Sequence, residues 1–329
     1  MEWDNDNFDY DYYLEKYEDL RRLNATKEDA IWHWQTYGKK EGRTCNRKSI
    51  NFITNITIII HLFVEELFDE FLEYIEIVNK VFNNVNVIFT ISQNSDIETR
   101  IKSINNKYVV IKVENKGVDV YPFVESVRYM RKHFQTDFVL KIHTKISNNE
   151  MYSDWRKKLI EPITKRENLI ILQHYFKKIK NIGYIGAQSC CLQKTYDEIF
   201  PQNIQGLKDL CDKFPHLPKE WSDFLGGTMF WISNETLNQL TDELIDYIIK
   251  NVCYEKPPCN LTDSGIYIEY ICERLFTGIM CYEKTNILIN ENEPAERTFN
   301  IDERDDETQN YFYSPKVFSI YQPKNVILN

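Results

Sequence analysis

The chain has 329 residues, of which 43% are hydrophobic and 14% aromatic, so it can bury a substantial core in one large or two moderate domains. Its formal net charge of −10 argues against a broad electrostatic grip on nucleic acid or on an anionic membrane, and neither is expected as a partner. No apolar stretch is long enough to span a bilayer and no signal-peptide pattern opens the sequence, which predicts no transmembrane segment and a cytoplasmic protein.

The first predicted element is a compact two-helix module at residues 10–43, where aromatic residues and leucines recur at helical spacing. The module and the polar linker that follows it form a predicted first unit at residues 1–48. The segment is similar to a short repeat that is appended to many glycosyltransferases and surface-associated proteins. We interpret its aromatic residues as a small core, with sugar binding as the alternative. The residues that fit the repeat are Tyr17, Asp19, Leu20, His33, Trp34, Tyr37, Gly38, Glu41, Gly42 and Arg43.

From residue 49 onward, strand and helix patterns alternate. Apolar runs predict strands at residues 56–63, 86–91, 108–113, 138–142, 182–187 and 227–232. Amphipathic spacing predicts helices at residues 64–82, 96–105, 121–134, 152–160, 166–179, 235–249 and 265–276. This alternation predicts an α/β fold over residues 49–290, with a Rossmann-like mixed sheet flanked by helices. Residues 291–329 are charged and irregular, and we interpret them as a C-terminal extension.

Two polar segments follow predicted strands. In ENKGVD, Gly117 permits a tight turn, while Asn115 and Asp119 offer groups that suit a nucleoside; the alternative is an ordinary loop with Asp119 capping the next helix. In LKIHTKIS, His143 and Lys145 share one side of the strand, so Lys145 can neutralise a diphosphate and His143 can bind phosphate or a metal. Open α/β sheets bind ligands at the carboxyl ends of their strands. We therefore expect the two segments to meet on neighbouring strands as a nucleotide site.

Further candidates lie downstream. Trp155 and Arg156 begin a predicted helix and can close over phosphates. Alternatively, Trp155 is a core residue and Arg156 forms a surface ion pair. Two glycines ahead of an apolar strand let a ligand approach the backbone closely. The resulting acceptor-binding candidates are Asp223, Gly226, Gly227 and Trp231.

Carboxylates in DSGIYIEYICERLF are candidates for a general base. Glu269 and Glu273 are four residues apart and share a helix face, whereas Asp263 precedes the helix. A carboxylate near an acceptor hydroxyl can take its proton. Asp263 and Glu269 are the candidates for this role, because Glu273 stands next to Arg274 and suits a structural ion pair.

The motifs ENKGVDVYPF, FVLKIHTKIS, WRKKL, GYIGA, FLGGTMFWIS and IEYICERLF, in this order, resemble the rhamnan synthesis protein F family of glycosyltransferases over residues 50–285. The resemblance implies a GT-A type fold and a nucleotide-diphosphate sugar as donor, linked to UDP, dTDP or GDP. It also implies a polysaccharide or glycoprotein glycan as acceptor, with rhamnose or another deoxysugar as the leading candidate for transfer. Richness in Asn, Ile and Lys favours an AT-rich genome, and in a viral source the cytoplasm would be the host's.

The GT-A plan usually holds the donor diphosphate through a metal bound by an Asp-x-Asp pair, and here His143-Thr144-Lys145 takes that place. Lys145 can supply the charge that Mn²⁺ or Mg²⁺ would, which leaves metal dependence open with His143 as the candidate ligand. The competing function is a non-catalytic carbohydrate-binding or scaffold protein with a degenerate glycosyltransferase fold. An oxidoreductase acting on nucleotide sugars is disfavoured, because no GxGxxG fingerprint follows the first strand.

Overall fold

The computed structural model describes residues 8–23, 25–41, 43–45, 54–145, 155–193, 200–255, 257 and 265–290, together with the backbone of residues 318–321. Within these ranges, no helix combines the length and the apolar character that crossing a membrane requires.

The centre of the fold is an eight-stranded mixed sheet in the order β10-β9-β5-β8-β4-β1-β2-β3. Strands β1 to β4 run parallel to one another, whereas β8 is antiparallel to both of its neighbours, β4 and β5. The central strands β4 and β5 are buried at every position, as expected of strands covered on both faces. The strands are β1 (Asn55–His61), β2 (Asn84–Ser92), β3 (Val109–Val113), β4 (Phe138–His143), β5 (Ile182–Ala187), β8 (Phe230–Ser233), β9 (Thr285–Ile289) and β10 (Phe318–Tyr321), while β6 (Cys191–Leu192) and β7 (Phe224–Leu225) form a separate pair.

Helices cover both faces of this sheet. The first core cluster packs α4, α7 and α8 on one face, and the second packs α6, α9, α11 and α12 on the other. Neighbouring residues of β1 divide between the clusters, with Ile58 and Ile60 in the first and Ile59 in the second. The helices are α1 (Tyr10–Lys16), α2 (Glu18–Arg22), α3 (Lys27–His33), α4 (Phe68–Val81), α5 (Glu98–Ile104), α6 (Val120–His133), α7 (Trp155–Thr164), α8 (Arg166–Lys178), α9 (Pro201–Lys213), α10 (Asn234–Leu237), α11 (Asp242–Asn251) and α12 (Ile268–Arg274).

The predicted α/β class, a mixed sheet flanked by helices, is confirmed. The expectation that β3 and β4 are neighbours is wrong, because β1 and β2 lie between them. The helix predicted at residues 235–249 is two helices, since the Thr241 side chain accepts from the Leu244 amide and begins α11 anew. The strand predicted at residues 227–232 begins only at Phe230, because Gly227 and Thr228 have φ of +83° and +51°. Helix α9 and strands β6, β7, β9 and β10 were not predicted.

The N-terminal segment contains three short helices, α1 to α3, followed by a π-helical turn at Trp34–Gly38. Tyr13, Leu20 and Ala30 are its buried core. Gly38 is required there, because a Cβ would lie 2.0 Å from the Tyr13 hydroxyl oxygen. These contacts give the repeat residues a structural role, while the likeness to the repeat and the unit boundaries at residues 48 and 290 stay predictions.

Candidate active site

A lysine that the sequence did not single out lies at the centre of the candidate site. Lys141, on β4, is 2% exposed, yet its ammonium donates to Asp119 Oδ2 at 2.6 Å, to the Thr228 carbonyl at 2.7 Å and to Thr228 Oγ1 at 3.0 Å. The rings of Phe123 and Phe230 lie 5.3 and 5.7 Å from the same nitrogen. An ammonium has three hydrogens to donate, and all three are used here. Its burial is therefore compensated by an opposite charge and complete hydrogen bonding.

The Asp119 carboxyl is held ionised by this arrangement. Burial alone would raise its pKa, but the charge of Lys141 and the hydrogen bonds from Lys141 and Thr228 hold the pKa of Asp119 well below its usual range. Burial lowers the pKa of Lys141, and the Asp119 charge opposes that effect. Asp119 and Lys141 therefore form a buried ion pair at the carboxyl end of β4.

The turn before α6 carries Asp119 from the edge of the sheet to its centre. Gly117 and Val118 have φ of +63° and +50°, and the Gly117 amide donates to the Cys253 carbonyl at 2.7 Å. A Cβ on Gly117 would lie 2.7 Å from Val252 Cγ1, so the close approach excludes any side chain. Asp119 makes no capping hydrogen bond to α6, unlike the structural alternative considered from the sequence. Its carboxylate points instead to Lys141.

The glycine pair before β8 positions the third member of the cluster. The Gly226 amide donates to the Cys190 carbonyl at 2.8 Å, and the Gly227 amide donates to Glu273 Oε1 at 2.7 Å. The left-handed turn at Gly227 and Thr228 then aims the Thr228 hydroxyl at the Asp119 carboxylate, to which it donates. These two glycines shape the turn that closes the cluster, and their contact with an acceptor stays a prediction.

Two histidines stand side by side at the carboxyl ends of β1 and β4, where His61 pairs with His143 in the sheet register. His143 is 6% exposed; its Nδ1 is 3.8 Å from Asp119 Oδ2 and has no hydrogen-bond partner within the described residues. Burial holds the pKa of His143 well below its usual value and lowers the pKa of His61 to about 4. Both imidazoles are therefore neutral at pH 7, and His61 Nδ1 is bonded to the Thr90 hydroxyl at 3.0 Å.

The segment after β4 joins the cluster to the first strand. Thr144 Oγ1 accepts from the amides of Phe63 and Val64 at 2.9 and 3.0 Å, which ties the loop after β1 to β4. Lys145 is half-buried, and its ammonium forms no hydrogen bond or ion pair within the ranges that the structure describes. It is therefore a cation at this edge that is available to an anion.

Arg156 supports this segment from α7. Its Nε and Nη2 donate to the two carboxyl oxygens of Glu70 at 3.0 and 2.7 Å, and its Nη1 donates to the Lys145 carbonyl at 2.8 Å. The guanidinium is thus occupied by protein groups, which fits the ion-pair alternative considered for it. Trp155, beside it, is partly buried and packs against the first core cluster.

Glu269, at the start of α12, is 5% exposed. Its Oε1 accepts from the Cys253 amide at 2.6 Å, while its Oε2 is buried without a partner in the described part of the chain. Burial raises the pKa of Glu269, although the bond from Cys253 opposes the effect, and the negative charge of Asp119 raises it further. A carboxyl with a raised pKa and an open oxygen is suited to exchange a proton. Asp263, the other candidate base, lies outside the described residues.

The remaining candidates lie apart from this cluster. Asn115 is exposed in the loop before Gly117, and Asp223 is half-buried with its charge close enough to raise the pKa of Cys191. Trp231 does not belong to the site. It is fully buried in the first core cluster, on the face opposite Lys141, and its indole donates to the Ile163 carbonyl at 2.8 Å.

The donor groups at this edge do not fit a divalent metal. Within the described residues, no three His, Cys, Asp or Glu side chains come close enough together to hold one. The Asp119 carboxylate already accepts from Lys141 and Thr228, and His143 Nδ1 lies 3.8 Å from it. A lysine ammonium thus occupies the carboxylate that a metal would need.

Lys141 and His61 were missed from the sequence, although a signal for each was present. Residues 141 and 143 are two apart on β4, so Lys141 shares the side of His143. His61 ends the first apolar strand as His143 ends the fourth. Thr228 had no comparable signal, because only the turn at Gly227 brings it to Asp119.

Comparison with known proteins gave one family and several solved structures. The family model described as rhamnan synthesis protein F matches residues 36–281. No curated protein matches the sequence. Mannosyltransferase PcManGT from Pyrobaculum calidifontis, in complex with GDP-Man and Mn²⁺, is 14% identical with a TM-score of 0.33, over 57% of this chain and 47% of that one. Glucosyl-3-phosphoglycerate synthase from Mycobacterium tuberculosis, in complex with Mn²⁺, UDP and phosphoglyceric acid, is 15% identical with a TM-score of 0.28, over 61% of each chain. The match thus spans between about half and three fifths of those two proteins.

Proposed function

Because the chain belongs to the rhamnan synthesis protein F family, as its motifs predicted, we propose that it is a glycosyltransferase that moves a sugar from a nucleotide-diphosphate sugar to a glycan. The observation that carries this proposal is the cluster at the carboxyl edge of β1 and β4. There Lys145 follows His143 by two residues, and within the described part of the chain neither the Lys145 ammonium nor the buried His143 Nδ1 has a hydrogen-bond partner. Open α/β sheets bind their ligands at this edge.

The donor diphosphate is assigned to Lys145 and His143. A free ammonium at a partly buried position stabilises the charge that develops on the leaving nucleoside diphosphate, because little water competes for it. Neutral His143 can donate one hydrogen bond to a phosphate oxygen from its unpartnered nitrogen. Asn115, Gly117 and Asp119 are proposed for the nucleoside side of the site, with the Asp119 carboxylate held rigidly by Lys141.

In an inverting reaction, the bond from the anomeric carbon to the diphosphate oxygen breaks while a bond to the acceptor oxygen forms. The acceptor hydroxyl then loses its proton, and Glu269 is the proposed base, because its raised pKa and open Oε2 suit proton uptake. Asp263 is the alternative base. A retaining reaction would not need a base at this position.

The finer specificity follows from the family description alone. Rhamnose or another deoxysugar is the proposed sugar, because the family is described by rhamnan synthesis. The proposed carrier is UDP, dTDP or GDP. The proposed acceptor is a polysaccharide or a glycoprotein glycan, with Asp223, Gly226 and Gly227 as candidate contacts.

The proposal is tested by nucleotide binding followed by transfer. Thermal unfolding is measured with UDP, dTDP and GDP, with and without Mn²⁺, since a ligand at about 100 times its Kd stabilises by about 2.7 kcal/mol. We expect one nucleotide to raise the midpoint without Mn²⁺, and the matching nucleotide sugar to be consumed with a glycan acceptor. A shift that depends on Mn²⁺ would overturn the proposal that Lys145 supplies the charge.

Replacing Lys145 with Ala is expected to weaken nucleotide binding by about tenfold or more, which corresponds to roughly 1.4 kcal/mol. Lys158→Ala is the matched control, because Lys158 is an exposed lysine on α7. If no nucleotide stabilises the protein, the transferase function is excluded, and a carbohydrate-binding scaffold is the function that remains.

A further inference from the structure

A cavity of about 370 Å³ opens at the amino edge of the sheet, at the opposite end of β4 from the charged cluster. Thr136, Asp137 and Phe138 line it where β4 begins, and Asn234 and Asn238 line it where β8 ends. Strand β4 extends from Phe138 to His143, so at ~3.3 Å per residue the cavity lies roughly 17 Å from the histidine. It is therefore separate from the candidate active site, and its volume is within the usual range for small-molecule pockets.

The floor of the cavity is aromatic. The rings of Phe138 and Phe176, both of which line it, stack with their centroids 3.8 Å apart and their planes within 14°. Both rings belong to the first core cluster, so the floor is fixed by the packing of β4 against α8. Phe138 and Phe176 are 9% and 7% exposed, so they offer a small, rigid apolar patch to the carbon skeleton of a ligand.

Open hydrogen-bonding groups surround this floor. Asn234 Oδ1 is buried without a partner within the described residues, although the Asn234 backbone amide donates to the Asp137 carbonyl at 2.8 Å. The Asp137 carboxylate uses one oxygen, Oδ2, to accept from the amide and side chain of Asn55 at 2.7 and 3.2 Å. Its other oxygen has no partner in the part of the chain that the structure describes. Asp137 is exposed to solvent, whereas Asn234 Oδ1 is a buried polar atom without a partner among the described residues. Such an atom is costly, and a ligand hydroxyl would relieve that cost.

The charges around the cavity exclude an anionic ligand. No lysine, arginine or histidine of the described residues lines it, whereas Asp137 and Glu235 do. The nearby Lys284 ammonium is already held by Glu235 Oε1 at 3.1 Å and by Asn181 Oδ1 at 2.9 Å. A phosphate or carboxylate would therefore meet like charge from the lining side chains. A neutral ligand rich in hydroxyl groups meets no such repulsion.

We propose that this cavity is a second carbohydrate site, which binds one neutral sugar unit of a glycan at the amino edge of the sheet. Sugar hydroxyls would pair with the Asn234 amide, the Asn238 amide and the open oxygen of Asp137, and the sugar's carbon face would lie on the aromatic floor. The site takes no part in the chemical step. Its existence does not depend on the assignment of the donor site, because the two stand at opposite ends of β4.

The test measures the binding of neutral methyl glycosides of rhamnose, glucose, mannose and galactose to the full chain. Saturation-transfer NMR detects the binding. We expect saturable binding of at least one glycoside to the wild-type protein. Asn234→Ala removes the open amide and should weaken that binding roughly three- to tenfold, which is the value of one hydrogen bond. Asn238→Trp places a large side chain in the mouth of the cavity and should abolish it.

Asn106→Ala, an exposed asparagine between α5 and β3, is the matched control and should bind as the wild type does. All variants are first compared by thermal unfolding, and the nucleotide shift should be unchanged in each. The proposal is overturned if no glycoside binds the wild-type protein. It is also overturned if Asn234→Ala and Asn238→Trp both bind a glycoside as strongly as the wild type does. Because nucleotide binding is measured separately, failure here is distinguishable from failure of the donor site.

Discussion

Two ion pairs of almost equal length stand in different surroundings. The Lys141 ammonium is 2.6 Å from Asp119 Oδ2, and the side chains are 2% and 16% exposed. Arg43 Nη2 is 2.7 Å from Asp19 Oδ2 in the N-terminal segment, where the side chains are 17% and 55% exposed. Both aspartates have a lowered pKa, but for Asp19 the main cause is the hydrogen bond from Arg43, while for Asp119 a large burial effect has to be overcome.

The difference shows what burial adds to an ion pair. Water screens the Asp19 pair, so its contribution to stability is small. At Asp119, low exposure lets one charge act on several groups, and its effect reaches the pKa of His61, His143, Lys141 and Glu269. Equal distances therefore do not mean equal function.

The largest expected effect comes from breaking the buried pair. Lys141→Met leaves the Asp119 carboxylate uncompensated, which should lower the free energy of unfolding by about 3–5 kcal/mol and abolish sugar transfer. Urea denaturation and a transfer assay measure the two effects. The double variant Lys141→Met with Asp119→Asn removes both charges and should regain part of the stability without regaining activity. Wild-type stability in the single variant would contradict the ion pair.

The second-largest effect is a loss of turnover at Glu269, whose carboxyl has a raised pKa. Glu269→Gln retains an acceptor for the Cys253 amide but cannot take a proton, so kcat should fall by about 10²- to 10⁴-fold with the donor KM unchanged. Glu273→Gln, four residues further along the same helix, is the control and should lose far less. Equal rates for wild type and Glu269→Gln would exclude Glu269 as the base and leave Asp263.

A third effect is a dependence of stability on pH that comes from the two histidines at the buried pair. The pKa values of His61 and His143 lie below their ordinary value of 6.5, so between that pH and about 4 the unfolded chain binds more protons than the folded protein does. Stability should therefore fall as the pH drops below 6.5, by up to about 1.4 kcal/mol per pH unit for each histidine. The raised pKa of Glu269 acts in the opposite direction and offsets part of this fall.

Urea midpoints at pH 7, 6 and 5 measure how steeply stability falls with pH. His61→Gln should reduce that fall by the contribution of one histidine. The same midpoints at all three pH values would mean that the two imidazoles are not buried as neutral groups.

The smallest effect is expected at the exposed pair. Arg43→Ala should lower stability by about 1 kcal/mol, partly because the guanidinium also lies 4.5 Å from the centre of the Tyr17 ring. Nucleotide binding should be unchanged. Arg22→Ala, which breaks the more exposed pair with Glu18, is the control and should cost less than about 0.5 kcal/mol. A large loss of nucleotide binding in Arg43→Ala would contradict the view that the exposed pair takes no part in the site.

Much of the local structure could be predicted from the sequence, because it depends on nearby residues. Apolar runs located β1 and β5, amphipathic spacing located α4, and the order of motifs identified the family. Helix α9 was missed because its sequence, PQNIQGLKDLCDK, contains a glycine and a proline, which favour turns. Its Gly206 is explained only by packing, since a Cβ would lie 2.4 Å from Ile271 Cδ1.

The sequence by itself determined the α/β class and the concentration of polar groups around His143, since periodicity and strand ends are local properties. Only the tertiary structure decided which groups meet. Lys141 contacts Asp119, 22 residues away, and Thr228, 87 residues away, because left-handed turns redirect the two loops that carry them, even though β1 and β2 separate β3 from β4. Strand order and burial depend on the packing of the whole sheet, and burial is what converts these side chains into a coupled site.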